Sequence, residues 1–138
     1  EDELVEAVRF TRFGPGTRTA FLESSRRHGD YALAGVAVAV DVADGVVVSA
    51  RAGFVSVTPV PLVLDLTPVL RGRDAGAPVP DEVTDAVREF VDPEGDIHAT
   101  ADYRRMLAAE LTRRALATAT HPTPAADPAP TTAQESVA

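Results

Sequence analysis

Between Leu33 and Val42, the small residues Gly35, Ala37 and Ala39 alternate with Val36, Val38, Val40 and Val42. β-Branched side chains at a period of two predict a strand with one face well buried. Asp44-Gly45 then marks a tight hairpin, because such a turn needs positive φ, which glycine tolerates. The return strand spans Val46–Phe54, with Val48, Ala50, Ala52 and Phe54 on one face and Ser49, Arg51 and Gly53 on the other. Pro59 and Pro61 exclude a central strand over Val57–Pro61. Leu62, Leu64 and Leu66, alternating with Val63 and Asp65, allow a third short strand. Upstream, Leu4–Phe10 sets Val and Phe among acids and one Arg, and reads as an edge-type strand that ends at Gly14-Pro15-Gly16.

A period of three to four takes over elsewhere. After Thr17–Phe21, which is compatible with extended chain, Glu23 precedes Arg26 and Arg27 at spacings that pair opposite charges on a helix. Gly29 follows where a helix C′ residue belongs, so about two turns of helix are predicted here. The stretch Phe21–Val40 thus joins two arginines, an acid, an aromatic and a long apolar run, and is expected to be the centre of the core. Asp81 is a candidate N-cap for a helix with Val83, Val87 and Phe90 or Val91 on one face, ended by Asp92-Pro93-Glu94-Gly95. Thr100–Ala119 is the clearest helix: Tyr103, Leu107, Leu111 and Ala115 repeat every four residues, Met106 and Ala108 widen the stripe, and Glu110 reaches Arg113 and Arg114. From His121 the composition turns to Pro, Ala and Thr, so residues 1–120 are expected to form the domain and 121–138 a disordered tail.

Composition narrows the chemistry. A length of 138 residues suits one domain. With 45% hydrophobic but only 5% aromatic residues, the core must be built from Val, Leu and Ala. Cysteine is absent, which excludes disulfides, thiolate metal sites and a Cys nucleophile, fits a reducing compartment and leads to a cytoplasmic expectation. All 13 basic residues are arginine, so a Schiff-base or phosphate-loop lysine is impossible. A net charge of −8 argues against a nucleic-acid partner. No apolar run reaches the ~18–20 residues of a membrane span, and the acidic start Glu1-Asp2-Glu3 is no signal peptide. The missing initiator Met points to a processed product or a segment of something longer.

The usual catalytic signatures are missing: there is no G-x-G-x-x-G, no phosphate-loop motif and no G-x-S-x-G. His28, His98 and His121 lie far apart in sequence, and no metal site is expected. Asp81 with Glu82, or Asp92, Glu94 and Asp96, can be drawn as acid–base pairs, but caps and solvated loop ends are the commoner uses of such residues. Arg26-Arg27 either complements a helix dipole or meets an anionic cofactor or a partner's acids.

Ala20-Phe21 followed by Arg26-Arg27-His28-Gly29-Asp30-Tyr31-Ala32-Leu33-Ala34-Gly35-Val36-Ala37 resembles a motif of one particular module. Further landmarks fall in the same order: Leu4–Phe10 before it, then Val57-Thr58-Pro59-Val60-Pro61, Leu70-Arg71-Gly72-Arg73, and Asp96–Arg105 leading into the helix with Leu107, Leu111, Arg114-Ala115-Leu116 and Ala119. The module is the C-terminal domain of the FAD-binding (medium) subunit in the xanthine dehydrogenase/carbon monoxide dehydrogenase, or molybdenum hydroxylase, family. The resemblance implies an α+β sandwich: an antiparallel sheet of 3–4 strands against about three helices. It implies a subunit that holds FAD and passes electrons from the iron–sulfur clusters of a sister subunit to an acceptor, while hydroxylation occurs at a molybdopterin subunit. The family's Gly-rich flavin loops belong to upstream FAD-binding domains, which this chain would share in holding FAD. The module would close over the isoalloxazine edge with residues near Thr19, Phe21 and Leu22, joined by Arg26 and Asp30. Some members carry a polar or cationic side chain where Leu22 stands. Phe21 could pack on the ring or belong to the core, and Asp30 is expected first to order the turn by accepting backbone hydrogen bonds. Beside this role stand two others: a non-catalytic docking module of the same fold, using the Tyr103 helix or the Arg pair, and, least favoured, an enzyme working alone through Asp, Glu and His.

Overall fold

The structure, a computed structural model, describes residues 4–27 and 29–121. His28 and the tail beyond His121 lie outside the described residues. Four strands, β1 (Thr17–Ser25), β2 (Ala32–Ala43), β3 (Val46–Val55) and β4 (Leu62–Asp65), form an antiparallel meander in the order β1-β2-β3-β4. A short helix α1 (Thr67–Leu70) follows, then α2 (Asp81–Phe90) and α3 (Ala101–Thr120). Helix α3 lies on β1 and β2, with α2 packed against it. The α+β class and the sheet-and-three-helix architecture expected from the sequence are therefore present.

The β2–β3 hairpin turns as expected: Asp44 and Gly45 adopt φ of 51° and 77°, the two positive values a type I′ turn requires. Period-two alternation then sorts β2. Val36, Val38 and Val40 are buried beneath the helices, while Ala37 and Ala39 face the other way. Val47, Ala50, Ala52 and Phe54 of β3 join the same core, which is closed by Leu66, Val83, Val87, Ala108, Leu111, Ala115, Leu116 and Ala119. The Phe54 ring meets Phe90 of α2 at a centroid distance of 6.1 Å.

Four expectations are corrected. Phe21 to Arg27 is not helical; β1 runs through Ser25 and pairs Phe21 with Ala37 and Glu23 with Gly35. Two turns of helix held by charge pairs at about 0.2–0.5 kcal/mol each are marginal. A full ladder on the open edge of β2, with Ala20 and Leu22 partly buried against the core, outweighs them. Gly29, at φ 81°, serves the β1–β2 turn and not a helix end. Leu4–Phe10 forms no strand: its backbone is irregular and its apolar side chains face solvent.

The buried face of β3 shifts at a bulge. Asp41 pairs with Ser49 but Val42 with Val47, so Val48 is the extra residue and points outward while Val47 goes in. In α3 the buried stripe is rotated from the expected one. Arg104, Ala108, Leu111, Thr112, Ala115, Leu116 and Ala119 are buried, whereas Tyr103 and Met106 are 43% and 47% exposed. The Arg104 guanidinium carries that rotation, as described below. Lesser differences concern the caps. Asp81 is the first residue of α2, with Pro80 at its N-cap, and the Thr100 side chain caps α3 by accepting from the Tyr103 amide at 3.2 Å.

Candidate functional site

One face of the sheet carries the helices; the other is open, and its side chains follow from the register. Phe21, Ala37, Gly53 and Val63 lie in one cross-strand row, and Thr19, Ala39, Arg51 and Asp65 in the next. Alternation forces Thr19 and Phe21 onto this face together and sends Leu22 to the opposite, helix-covered one. A groove of about 540 Å³ runs across the rows, lined among others by Phe13, Phe21, Ala37, Arg51, Gly53 and Val63. Its floor is flat because Ala37, Ala39 and Gly53 carry little or nothing beyond Cβ. A Cβ at Gly53 would stand 3.8 Å from the Ala37 carbonyl oxygen and 3.9 Å from Val63 Cγ2, so the position has room that glycine leaves empty. Phe21, 56% exposed, and Val63, 64% exposed, rise as walls.

Polar groups are gathered at one end of this groove. Ser49 Oγ donates to Asp41 Oδ2 at 2.6 Å and Thr17 Oγ1 donates to Asp41 Oδ1. The Ser49 bond first, then the Thr17 bond, holds the Asp41 carboxyl below its ordinary range. Asp65 is likewise lowered, chiefly by its hydrogen bonds from Thr67, with Arg51 adding to both acids through space. Arg51 makes no ion pair within 4 Å among the described residues, leaving a guanidinium free beside an apolar floor.

Arg26 and Asp30 belong to a second place, a polar cleft of about 220 Å³ at the β1–β2 turn, lined also by Tyr31, Leu33, Asp96, His98 and Arg104. Asp30 Oδ1 accepts from the Tyr31 amide at 2.9 Å, and the Asp30 amide donates to the Arg27 carbonyl at 3.1 Å. Its carboxylate therefore orders the turn. Arg26 Nη1 lies 2.9 Å from His98 Nδ1; a guanidinium only donates, so Nδ1 accepts and the histidine carries its proton on Nε2. Beneath them Arg104, 8% exposed, reaches from α3 to the carbonyls of Leu33 at 2.7 Å and Ser56 at 2.9 Å and to Asp96 Oδ2 at 2.6 Å. Its Nε is buried without a partner among the described residues. Asp96 is pulled down to about 2, first by Arg104 and then by the amides of His98 and Ala99.

The five residues picked out in the sequence thus divide three ways: Thr19 and Phe21 in the groove, Arg26 and Asp30 in the cleft, Leu22 against the core. Sequence reasoning missed Phe13, Arg51, Gly53 and Val63 of the groove and Arg104 of the cleft. A signal for Arg104 exists, since positions 104, 108, 111 and 115 share a helical face. For the groove, alternation set Arg51 and Gly53 on one face of the return strand, but only the register aligns that face with Phe21 and Val63.

The open sheet face, the meander and the covering helices define an α+β sandwich module. Residues 19–119 match the family described as CO dehydrogenase flavoprotein C-terminal domain, and the chain belongs to that family. It is 35% identical over 119 residues to the caffeine dehydrogenase subunit beta of a Pseudomonas species, covering 86% of this chain and 40% of that one. It is 30% identical over 115 residues to the carbon monoxide dehydrogenase medium chain of Afipia carboxidovorans, covering 83% and 40%. Among solved structures, carbon monoxide dehydrogenase from Hydrogenophaga pseudoflava superposes with a TM-score of 0.67 at 31% identity, covering 78% of this chain and 38% of that one. The chain therefore spans about two fifths of the length of the curated relatives it matches. No helix among the described residues is long and apolar enough to cross a membrane.

Proposed function

We propose that this chain, over residues 1–120, is the C-terminal module of the flavin subunit of a molybdenum hydroxylase. It covers the FAD isoalloxazine and docks partner subunits while electrons pass from iron–sulfur clusters to an acceptor. The observation that carries this reading is the uncovered sheet face, whose floor of Ala37, Ala39 and Gly53 between Phe21 and Val63 suits a planar, largely apolar ring. Its volume of about 540 Å³ is within the ~300–1,000 Å³ usual for small-molecule clefts. The fit extends to the ring only: with no Gly-rich phosphate loop in the sequence, the pyrophosphate must be held by the upstream FAD-binding domains.

FAD, when bound, supplies the redox centre that takes electrons from the clusters and gives them to the acceptor. The chain's own residues bind and shield. Phe21 and Val63 flank the ring and exclude water from it, Thr19 offers a hydroxyl at the groove's edge, and Arg51 places positive charge beside it. Arg26 and Asp30 act at a distance from the groove by shaping the β1–β2 turn, and Leu22 anchors β1 from beneath. The iron–sulfur and molybdopterin subunits are the partners on this reading, and substrate choice lies with the latter.

The test is reconstitution. The purified chain is expected to be colourless and to give a stoichiometric flavin complex only with the flavin-binding remainder of a medium subunit. In that complex Gly53→Leu, which fills the floor, should raise quenching of flavin fluorescence by iodide severalfold. Stoichiometric FAD binding by the chain alone, or a Gly53→Leu complex with unchanged quenching, refutes the reading. The rival, a docking module with no flavin role, draws on Tyr103 and Met106, which α3 holds out to solvent. It predicts that Tyr103→Ala weakens subunit assembly while every substitution in the groove leaves the flavin spectrum unchanged.

A further inference from the structure

At its polar end the open face builds a pocket that a ring lying on the groove floor would not use. Register sets Asp41 in one cross-strand row between Thr17 of β1 and Ser49 of β3, and alternation sends all three side chains to the open face. Asp41–Ser49 is the last pair before the bulge, and Thr17 is the first residue of β1. Gly16 lets the chain bring Thr17 in: a Cβ there would stand 2.8 Å from the Val42 carbonyl oxygen. The row lines a pocket of about 220 Å³, to which Arg12 and Arg51 also contribute. Phe13, Ala39 and Arg51 line both this pocket and the groove, so the two adjoin.

The chemistry of the pocket selects its occupant. Both hydroxyl protons are already given to Asp41, one to each carboxylate oxygen. An ionised carboxylate has about four acceptor sites, so each oxygen keeps room for a further donor, and the Thr17 and Ser49 oxygens keep lone pairs. The same bonds, that of Ser49 first, hold the Asp41 carboxyl below its ordinary range, so it stays ionised at neutral pH. Donors come from Arg12 and Arg51, neither of which makes an ion pair within 4 Å among the described residues. An anion would face the carboxylate, and a cation would face the two arginines. A neutral group that both donates and accepts answers the whole set, and neighbouring hydroxyls can share one carboxylate, the device by which an acidic side chain reads a ribose. We infer that Thr17, Asp41, Ser49 and Arg51 form a binding site for a vicinal diol. Asp41 and Arg51 bind the hydroxyls, while Thr17 and Ser49 are positioning residues whose bonds fix the carboxylate. Two sources share this chemistry, the ribityl chain of a flavin and the ribose of a nucleoside. The ribityl chain is favoured because the pocket adjoins the groove; that choice rests on the proposed function, which places the flavin ring there.

The experiment titrates the isotope-labelled full chain with three probes and follows backbone amide shifts by NMR: riboflavin, lumiflavin, which has the same ring without the hydroxylated chain, and adenosine. Riboflavin should move the amides of Ala37 and Gly53 and also those of Asp41 and Ser49; lumiflavin should move only the first pair. Riboflavin should bind about tenfold more tightly, the effect of one hydrogen bond to a charged group. Asp41→Asn, which keeps the shape and removes the charge, should weaken riboflavin to the level of lumiflavin and leave lumiflavin unchanged. Ser49→Ala, at a half-buried site, should do so in part. Adenosine that moves Asp41 and Ser49 as strongly as riboflavin supports the diol site and assigns it to a nucleoside. Three results overturn the inference: riboflavin no tighter than lumiflavin, no response of Asp41 and Ser49 to riboflavin or adenosine, or an Asp41→Asn chain that is less stable but keeps the wild-type ratio of the two flavins, as a network with only a structural role would give. A response at Asp41 and Ser49 with none at Ala37 and Gly53 supports this inference and refutes the flavin reading of the groove. The reverse pattern refutes this inference and leaves that reading standing.

Discussion

Arg104→Met tests how the cleft end of the sheet is held. The wild-type guanidinium, 8% exposed, donates to the carbonyls of Leu33 and Ser56 and to Asp96. These carbonyls lie at the start of β2 and just past the end of β3, where the β2–β3 ladder no longer satisfies them. Met replaces the aliphatic stem and supplies no donor. Replacing a whole buried ion pair by apolar groups is often neutral, but here the acceptors remain and lose their partner. A hydrogen bond from a charged donor contributes about 1.5–3 kcal/mol, so the two carbonyl bonds give a loss of roughly 3–6 kcal/mol, with the half-exposed Asp96 left out of the sum. Against a typical total stability of about 5–15 kcal/mol, that is a large fraction. Urea unfolding followed by far-UV circular dichroism at pH 7 should show the midpoint falling at an unchanged slope. A variant within about 0.5 kcal/mol of wild type, the range of ordinary surface changes, would refute the assignment of Arg104 as the clamp.

Because the Asp96 carboxyl is lowered from 3.8 to about 2, its contribution is fully present above the unfolded value and is lost as pH falls from near 3.8 toward 2; Asp96→Asn should flatten that part of the wild-type stability curve. Phe54→Ala, at a fully buried site, should cost about 3–5 kcal/mol, whereas Met106→Ala on the exposed side of α3 should stay within about 0.5 kcal/mol; a loss at Met106→Ala as large as at Phe54→Ala would refute the outward placement of Met106. Gly45→Ala at φ 77° should cost about 1–2 kcal/mol through left-handed strain, read from the same urea curves.

The hairpin and the clearest helix were legible because their signals are local. Asp44-Gly45 needs only its own two φ values, and Val36, Val38 and Val40 need only a period of two. The groove was half legible: Thr19 and Phe21 were found, but Leu22 beside them faces the helices, and no local pattern says which parity of β1 is open. Asp30 was legible in its own turn. Its companions in the cleft were not, since Arg26 and His98 are 72 residues apart and Arg104 and Leu33 are 71 apart.

By itself, the sequence determined the class of the chain, its Val- and Ala-built core, the β2–β3 turn and the family motif from Arg26 to Ala37. Tertiary structure alone decided that Phe21–Ser25 is strand and not helix, that Val48 bulges outward, and that α3 turns its arginine inward. The physical reason is common to all three. Each choice is worth at most about a kilocalorie locally, and is settled by ladder bonds, buried area and unpaired carbonyls that exist only once distant segments meet.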